Sequence, residues 1–285
     1  MKYLDARRIR GTAAERLALT EVTNQTNLVN TGGLGTTYNL TNHGTTPFAD
    51  SSKSGFGQVV NISGSNPGSN DPATYRFLNE GFTAQNWVGS GNYCLGAWAK
   101  LTDNGGDQEI FEVGTTGSGV YNYIKFYHWS ANKFKCIVYV DSGSHSVMES
   151  TNDNANDGAW HHFMIERSGG THTFYIDGVA DQTWSNSGTF ISFDRIRLGR
   201  YWEGQIDDAF FLTRATTSAE KTSMQTSEVK DISSMFSDSD LKLYYDCNGT
   251  SVYPNLPAGT IFEQTNDYKY YIWDGTSTWT VMVAN

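Results

Sequence analysis

From about Thr36 to Gly249 the chain repeats one pattern: a short run with apolar residues on every second position, then a cluster of Gly, Asn, Asp or Ser. The runs are TYRFLN, YCLGAWAKL, QEIFEVG, YIKFYHW, KFKCIVYV, HSVMES, WHHFMIER, HTFYIDG, RIRLGRY, GQIDDAFFL and LKLYYDC. Side chains of a strand point alternately to its two faces, so each run can bury one face and wet the other. Turn clusters at short, regular intervals leave no room for the crossover helices that parallel strands require. An all-β, antiparallel body of two packed sheets follows. Two segments break the period. GTAAERLALTE and TTSAEKTSMQTSEV each open on a capping box, Thr12 with Glu15 and Thr217 with Glu220, whose side chains satisfy free backbone donors at a helix start.

The stretch WHHFMIERSGGTHTFYIDG shows the pattern most clearly. His161, Phe163 and Ile165 share one face; Trp160, His162, Met164 and Glu166 share the other. On the returning run Phe174 and Ile176 lie opposite Tyr175. A turn across Ser168-Gly169-Gly170 puts both apolar sets on one side, and Asp177-Gly178 suits the positive φ of a second tight turn. The reading predicts a hairpin with one face on the core and a mixed aromatic and polar face outward. It also points His161 and His162 apart, so they cannot ligate one ion from a regular strand. The chain has no His-Glu-x-x-His and no Cys/His spacing for zinc.

Composition narrows the function classes. The 285 residues suffice for one large sandwich with small additions. With 29 Gly, 5 Pro, 14% aromatic and 18% charged residues, the chain suits an all-β protein rich in turns and not a disordered one. Its formal charge of −10 repels phosphate backbones and argues against a nucleic-acid partner. No apolar segment approaches the ~20 residues of a membrane helix, so membrane insertion is not expected. The start, MKYLDARRIRG, lacks the apolar stretch of a signal peptide. Cys94, Cys136 and Cys247 are widely spaced and odd in number, which reads as buried thiols and not as a disulfide framework. The division expected is an N-terminal arm with a short helix over 1–35, the sandwich over 36–250, and a small β unit over 251–285. Pro254 and Pro257 mark the last border, and TIFEQ, KYYIWDG and WTVMV supply that unit's strands. A unit of that size is not stable alone.

A family resemblance rests on Trp160, His161, Tyr175, Asp177, Gly178, Gly199, Gly204, Ile206, Asp207, Asp208 and the segment Ser218 to Glu220. In this order and spacing they resemble the laminin-G-like branch of the concanavalin A-like lectin/glucanase superfamily, over about residues 36 to 250. The resemblance implies a jelly roll of two antiparallel sheets packed face to face.

Some members of that superfamily are glycoside hydrolases, which need two carboxylates close together, and their usual motif is Glu-x-Asp-x-x-Glu. This chain lacks it. In DNGGDQEIFE, Asp107 and Glu109 share a face of a regular strand and Glu112 points away, so only a bulge would align the glutamates. The expectation is a protein that is not an enzyme. Some laminin-G-like relatives bind calcium through Asp side chains, which makes a calcium site at Asp103, Asp107 and Asp141 possible; Asp153 and Asp157 sit in comparable loops. Such Asp residues are equally ordinary turn formers. Aromatic residues are the stronger lead. Tyr123, Tyr127, Trp129, Tyr201 and Trp202 either pack the sandwich or a subunit contact, or stack on sugar rings as glycan-binding residues.

The two ends carry a second resemblance. YLDARRIRGTAAERLALT and LPAGTIFEQTNDYKYYIWDGTSTWT are similar to terminal pieces of structural proteins of tailed viruses. That implies a virion protein, such as a capsid decoration, head fibre or tail-associated component, partnered by other virion proteins and by copies of itself. Particles released by lysis need no signal peptide. Arg7, Arg8 and Arg10 form a basic cluster in an acidic chain and are candidates for docking on an acidic shell. The alternatives are a free carbohydrate-binding lectin and a glycoside hydrolase using Glu109 and Glu112.

Overall fold

The computed structural model describes residues 8–11, 27–28, 30–42, 48–51, 53, 58–62, 75–102, 107–115, 122–129, 133–140, 143–151, 155, 157–190, 192–227, 236, 239–247, 261–264, 270–273 and 279–282. In chain order the strands begin with β1 (Arg8–Gly11), β2 (Asn27–Leu28), β3 (Leu40–Asn42), β4 (Phe48–Asp50), β5 (Gln58–Ile62), β6 (Tyr75–Gln85) and β7 (Tyr93–Leu101). They continue with β8 (Gln108–Gly114), β9 (Tyr123–Trp129), β10 (Lys133–Val140), β11 (Ser144–Glu149), β12 (Trp160–Ser168), β13 (Thr171–Ile176) and β14 (Val179–Ser185). The rest are β15 (Phe193–Arg200), β16 (Gly204–Leu212), β17 (Leu241–Tyr245), β18 (Ile261–Gln264), β19 (Tyr270–Trp273) and β20 (Trp279–Met282), with helix α1 (Ser218–Met224) between β16 and β17.

Two antiparallel sheets make the sandwich. The front sheet runs β11-β10-β9-β8-β15-β6-β3-β2; the back sheet runs β14-β13-β12-β7-β16-β5-β4, with β17 also on β16. Phe126 of the front meets Phe174 of the back at 5.9 Å between ring centroids, and Phe134 meets Phe163 at 4.4 Å. These rings belong to one continuous core that also takes Ile110, Phe111, Val138, Leu198 and Trp202. The all-antiparallel sandwich expected from period two is the fold observed.

The β12–β13 hairpin has the register read from its turn. Phe163 lies opposite Ile176 and Ile165 opposite Phe174, with Ser168 opposite Thr171 across a two-residue loop. Gly169 and Gly170 sit at φ 57° and 84°, and Asp177 and Gly178 at 50° and 72°, the left-handed pairs that match the twist of the flanking strands.

One expectation about this hairpin fails. Its second face does not reach solvent: His162, Met164 and Glu166 are buried. A second apolar cluster covers that face, made of Cys94, Met164, Phe210 and Leu212 with Met224, Phe236, Leu241 and Tyr244. Helix α1 lies over the back sheet there. It spans two turns, too few to hold without tertiary packing. Thr217 and Glu220 close the expected capping box, Arg214 grips both oxygens of Glu220, and Lys221 reaches Glu166 at 2.8 Å. Period two could not signal this cluster because α1 and residues 236 and 241–244 come from later in the chain.

The chain divides into two compact units, residues 26–248 and a second unit of residues 1–25 with 249–285. The segment expected as a single arm is thereby split. From β2 onward it belongs to the sandwich: Thr31 and Gly33 donate to the Tyr244 and Leu241 carbonyls, and Asn30 accepts from the Tyr244 amide. In the terminal unit β1 pairs in parallel with β18, and β19 and β20 complete a four-stranded sheet. The helix expected to start at Thr12 lies outside the described residues. All three cysteines are buried and unbridged.

Candidate functional site

The site is the outer face of the front sheet. Along β9, Ile124 and Phe126 enter the core, so alternation sends Tyr123, Lys125, Tyr127 and Trp129 to the other face. Lys133, Lys135, Ile137 and Tyr139 do the same on β10, and His145, Val147 and Glu149 lie opposite the last three of these on β11. The rings form a chain of contacts. Tyr139 stacks on His145 at 4.3 Å and 6°, Tyr123 lies 4.7 Å from Tyr139, and Tyr127 meets Trp129 edge-on at 6.1 Å. Lys125 stands over the Tyr123 and Tyr127 rings, and Lys135 lies 4.2 Å from the Trp129 ring centre. Trp129 is 37% exposed, whereas Tyr127 is nearly covered by its neighbours.

Beside this row runs a ladder of ion pairs made possible by a bulge. The register of β8 on β9 shifts between Glu109 and Phe111, so that Glu109 opposes Tyr127 and Glu112 opposes Lys125. Ile110 and Phe111 both turn into the core, and the two glutamates emerge on one face. On the neighbouring β15, Gly199 at φ 74° keeps pace, leaving Arg200 opposite Glu109 and Arg197 opposite Glu112. Glu109 Oε1 accepts from Lys125 at 2.6 Å and from Arg200 at 3.0 Å. Glu112 accepts from Arg195 Nε at 2.7 Å, and Arg197 bridges onward to Glu80 at 3.1 Å. Burial alone would raise the Glu109 pKa, but Lys125 and Arg200 overcome it and hold the carboxyl below its usual range. Burial, with Asp107 and Glu109 nearby, pushes the Tyr127 hydroxyl up to about 12, so the phenol stays a neutral donor and acceptor.

The expected residues fall into three groups. Tyr123, Tyr127 and Trp129 stand in one row. Tyr201 sits at the end of β15 in a left-handed conformation at φ 52°, with the Arg200 guanidinium 4.8 Å from its ring centre. That conformation breaks the alternation, and Trp202 turns into the core at 1% exposure; it has no face for a sugar and leaves the candidate set. Asp107 is exposed just before β8, whereas Asp103, Asp141, Asp153 and Arg7 lie outside the described residues. Among the described residues no three His, Cys, Asp or Glu side chains gather as a metal site. Sequence reasoning missed Lys125, Lys135, Tyr139 and His145. The signal for the first three was present: in YIKFYHW and KFKCIVYV, lysines alternate in phase with outward aromatic residues.

Residues 79–220 match the model of a family described as the Concanavalin A-like lectin/glucanases superfamily. Solved structures similar to this chain include the CBM40 domain of a Ruminococcus gnavus IT-sialidase, at 11% identity and a TM-score of 0.41, covering 52% of this chain and 97% of that one. A heptameric SAP-like pentraxin from Limulus polyphemus is 13% identical with a TM-score of 0.42, covering 77% and 94%. Domains LG4-5 of the mouse laminin alpha1 chain are 14% identical with a TM-score of 0.36, covering 49% and 43%. No curated protein sequence matches significantly. Among the described residues no helix is long and apolar enough to cross a membrane.

Proposed function

We propose that this protein is a non-enzymatic adhesion component of a virus particle. Its concanavalin A-like sandwich offers Tyr123 and Trp129, with Tyr127 packed between them and their neighbours, to host-surface glycans, and its terminal unit holds it on the particle beside other virion proteins and copies of itself. The ring row on the outer face of the front sheet carries the glycan reading. Sugar C–H faces stack on such rings, and Lys125, Lys135 and Glu149 supply donors and acceptors for hydroxyls. The ion ladder supports binding over hydrolysis. A glycosidase acid needs a carboxyl whose pKa is raised, whereas Glu109 is held low by two cations and Glu112 is tied to Arg195.

The particle reading draws support from the two terminal segments, which resemble tailed-virus pieces and pair with each other through β1 and β18. Arg8 and Arg10 of β1, with Arg7, are the proposed docking residues. A free lectin, the second reading, needs the ring row alone.

The test is a glycan array probed with the full chain, with and without calcium, followed by Trp129→Ala and Tyr123→Ala. Each substitution should weaken binding to any glycan found by about tenfold, the worth of one aromatic stacking contact. An array without hits removes the glycan role. Normal incorporation of a protein lacking residues 1–25 into particles removes the docking role, and absence of the protein from purified particles leaves the free lectin.

A further inference from the structure

On the opposite side of the sandwich, His161 at the start of β12 stands between two carboxylates. Its Nδ1 lies 2.7 Å from Asp177 Oδ2, and its Nε2 lies 3.1 Å from Asp157 Oδ1. Both acids are fixed from elsewhere. Asp157 Oδ1 also accepts from the Ala159 amide at 2.7 Å, and Asp177 Oδ1 accepts from the His162 amide at 2.8 Å. A neutral imidazole has one N–H and one lone pair, so in this arrangement it would press the lone pair against a carboxylate oxygen. Only the imidazolium donates to both.

We propose that His161 is a proton-operated latch that fastens the segment entering β12, through Asp157, to the β13–β14 turn, through Asp177. The segment it fastens is the crossover from the front sheet at β11 to the back sheet at β12. Thr151 of that crossover also bonds to Asp181 of β14, at 3.0 Å from its amide, and this second tie does not depend on His161.

Among the described residues the charged groups around the latch are few. Asp157 and Asp177 face the imidazole itself. Lys53 and the buried His162 interact electrostatically with Asp177, and Phe163 and Ala99 are the neutral neighbours along and across the sheet. Burial alone would lower the His161 pKa, but hydrogen bonds to Asp177 and Asp157 outweigh it and raise the value above 6.5. The Ala159 amide, then His161, holds Asp157 low; for Asp177 burial acts upward and His161 with the His162 amide overcomes it. The sign follows. The stabilisation from His161 is fully present below about pH 6.5 and is lost as pH rises through the raised value. The acids' share is present above about pH 3.8 and is lost in stronger acid. The latch is therefore closed in mildly acidic media and opens on the alkaline side.

The test is a proton NMR titration of His161 in the full chain, with amide exchange at residues 158–161 and 178 measured at about pH 5.5 and about pH 8. The wild-type midpoint should lie above 6.5, and exchange protection, corrected for intrinsic rates, should drop several-fold at the higher pH. Asp157→Asn, at an exposed position, should lower the midpoint and flatten the pH dependence of protection, while Asp157→Glu retains part of both. A His161 midpoint at or below 6.5, or protection that does not change with pH, overturns the latch.

Discussion

Replacing Gly96 by Ala tests how tightly the second apolar cluster covers the back sheet. Gly96 lies mid-strand in β7, opposite Met164 on one side and Phe210 on the other. A Cβ there would fall 2.6 Å from Phe210 Cε1 and Cζ and 3.2 Å from the Phe163 carbonyl oxygen. Ordinary carbon contacts are about 3.5–4.0 Å, so the ring would have to move by about 1 Å. It has no free direction: Phe210 is fully buried, lies parallel to the His162 ring at 6.2 Å, and shares a cluster with Met224, Phe236 and Leu241. Overpacking of this kind costs about 1–3 kcal/mol, against about 0.5–1 kcal/mol gained from a stiffer unfolded chain. The expected net loss is about 1–2 kcal/mol. At about 2–4 °C per kcal/mol for a domain of this size, Tm falls by roughly 2–8 °C. Phe210→Leu deletes the two ring atoms in question and alone costs about 1–2 kcal/mol. In the double variant the new methyl enters the space they leave, so the combined loss should be smaller than the sum by about 1 kcal/mol. Denaturant and thermal unfolding of the four proteins measures the cycle. A Gly96→Ala protein as stable as its parent, or a strictly additive double variant, refutes dense packing on this face.

Two further perturbations probe the same interior. Burial pushes His162 down to about 4, and burial with Arg167 nearby does the same to His172; the unfolded chain binds these protons near 6.5. The unfolded state therefore takes up more protons as pH falls from about 6.5 to about 4, and stability declines across that window, by about 3 kcal/mol from His162 alone. His162→Gln should flatten this part of a stability–pH curve, and an unchanged slope would refute it. Glu220→Ala removes the return half of the capping box and both Arg214 contacts, for a loss of about 1 kcal/mol in denaturant unfolding; no loss would mean that packing alone fixes α1.

The sequence alone determined the local geometry. Period-two runs made the strands, and Gly169-Gly170 and Asp177-Gly178 set hairpin registers, because a turn needing positive φ at both central positions admits few residues and fixes which side chains face each other. Thr217 and Glu220 likewise placed the start of α1 to the residue. Of the candidate site, Tyr123, Tyr127 and Trp129 were legible because one regular strand carries all three.

Tertiary structure decided what depended on pairing between distant segments. The bulge that brings Glu109 and Glu112 to one face exists because Ile110 and Phe111 both find room in the core, and Arg195, Arg197 and Arg200 arrive beside them from β15. Trp202 was lost to the core because Tyr201 reverses the alternation one residue earlier. The back sheet is buried on its second face because Met224, Phe236 and Leu241 close over it, and β1 joins β18 in one sheet. Alternation along a strand says which side chains share a face; it carries no information about what a remote part of the chain lays upon that face.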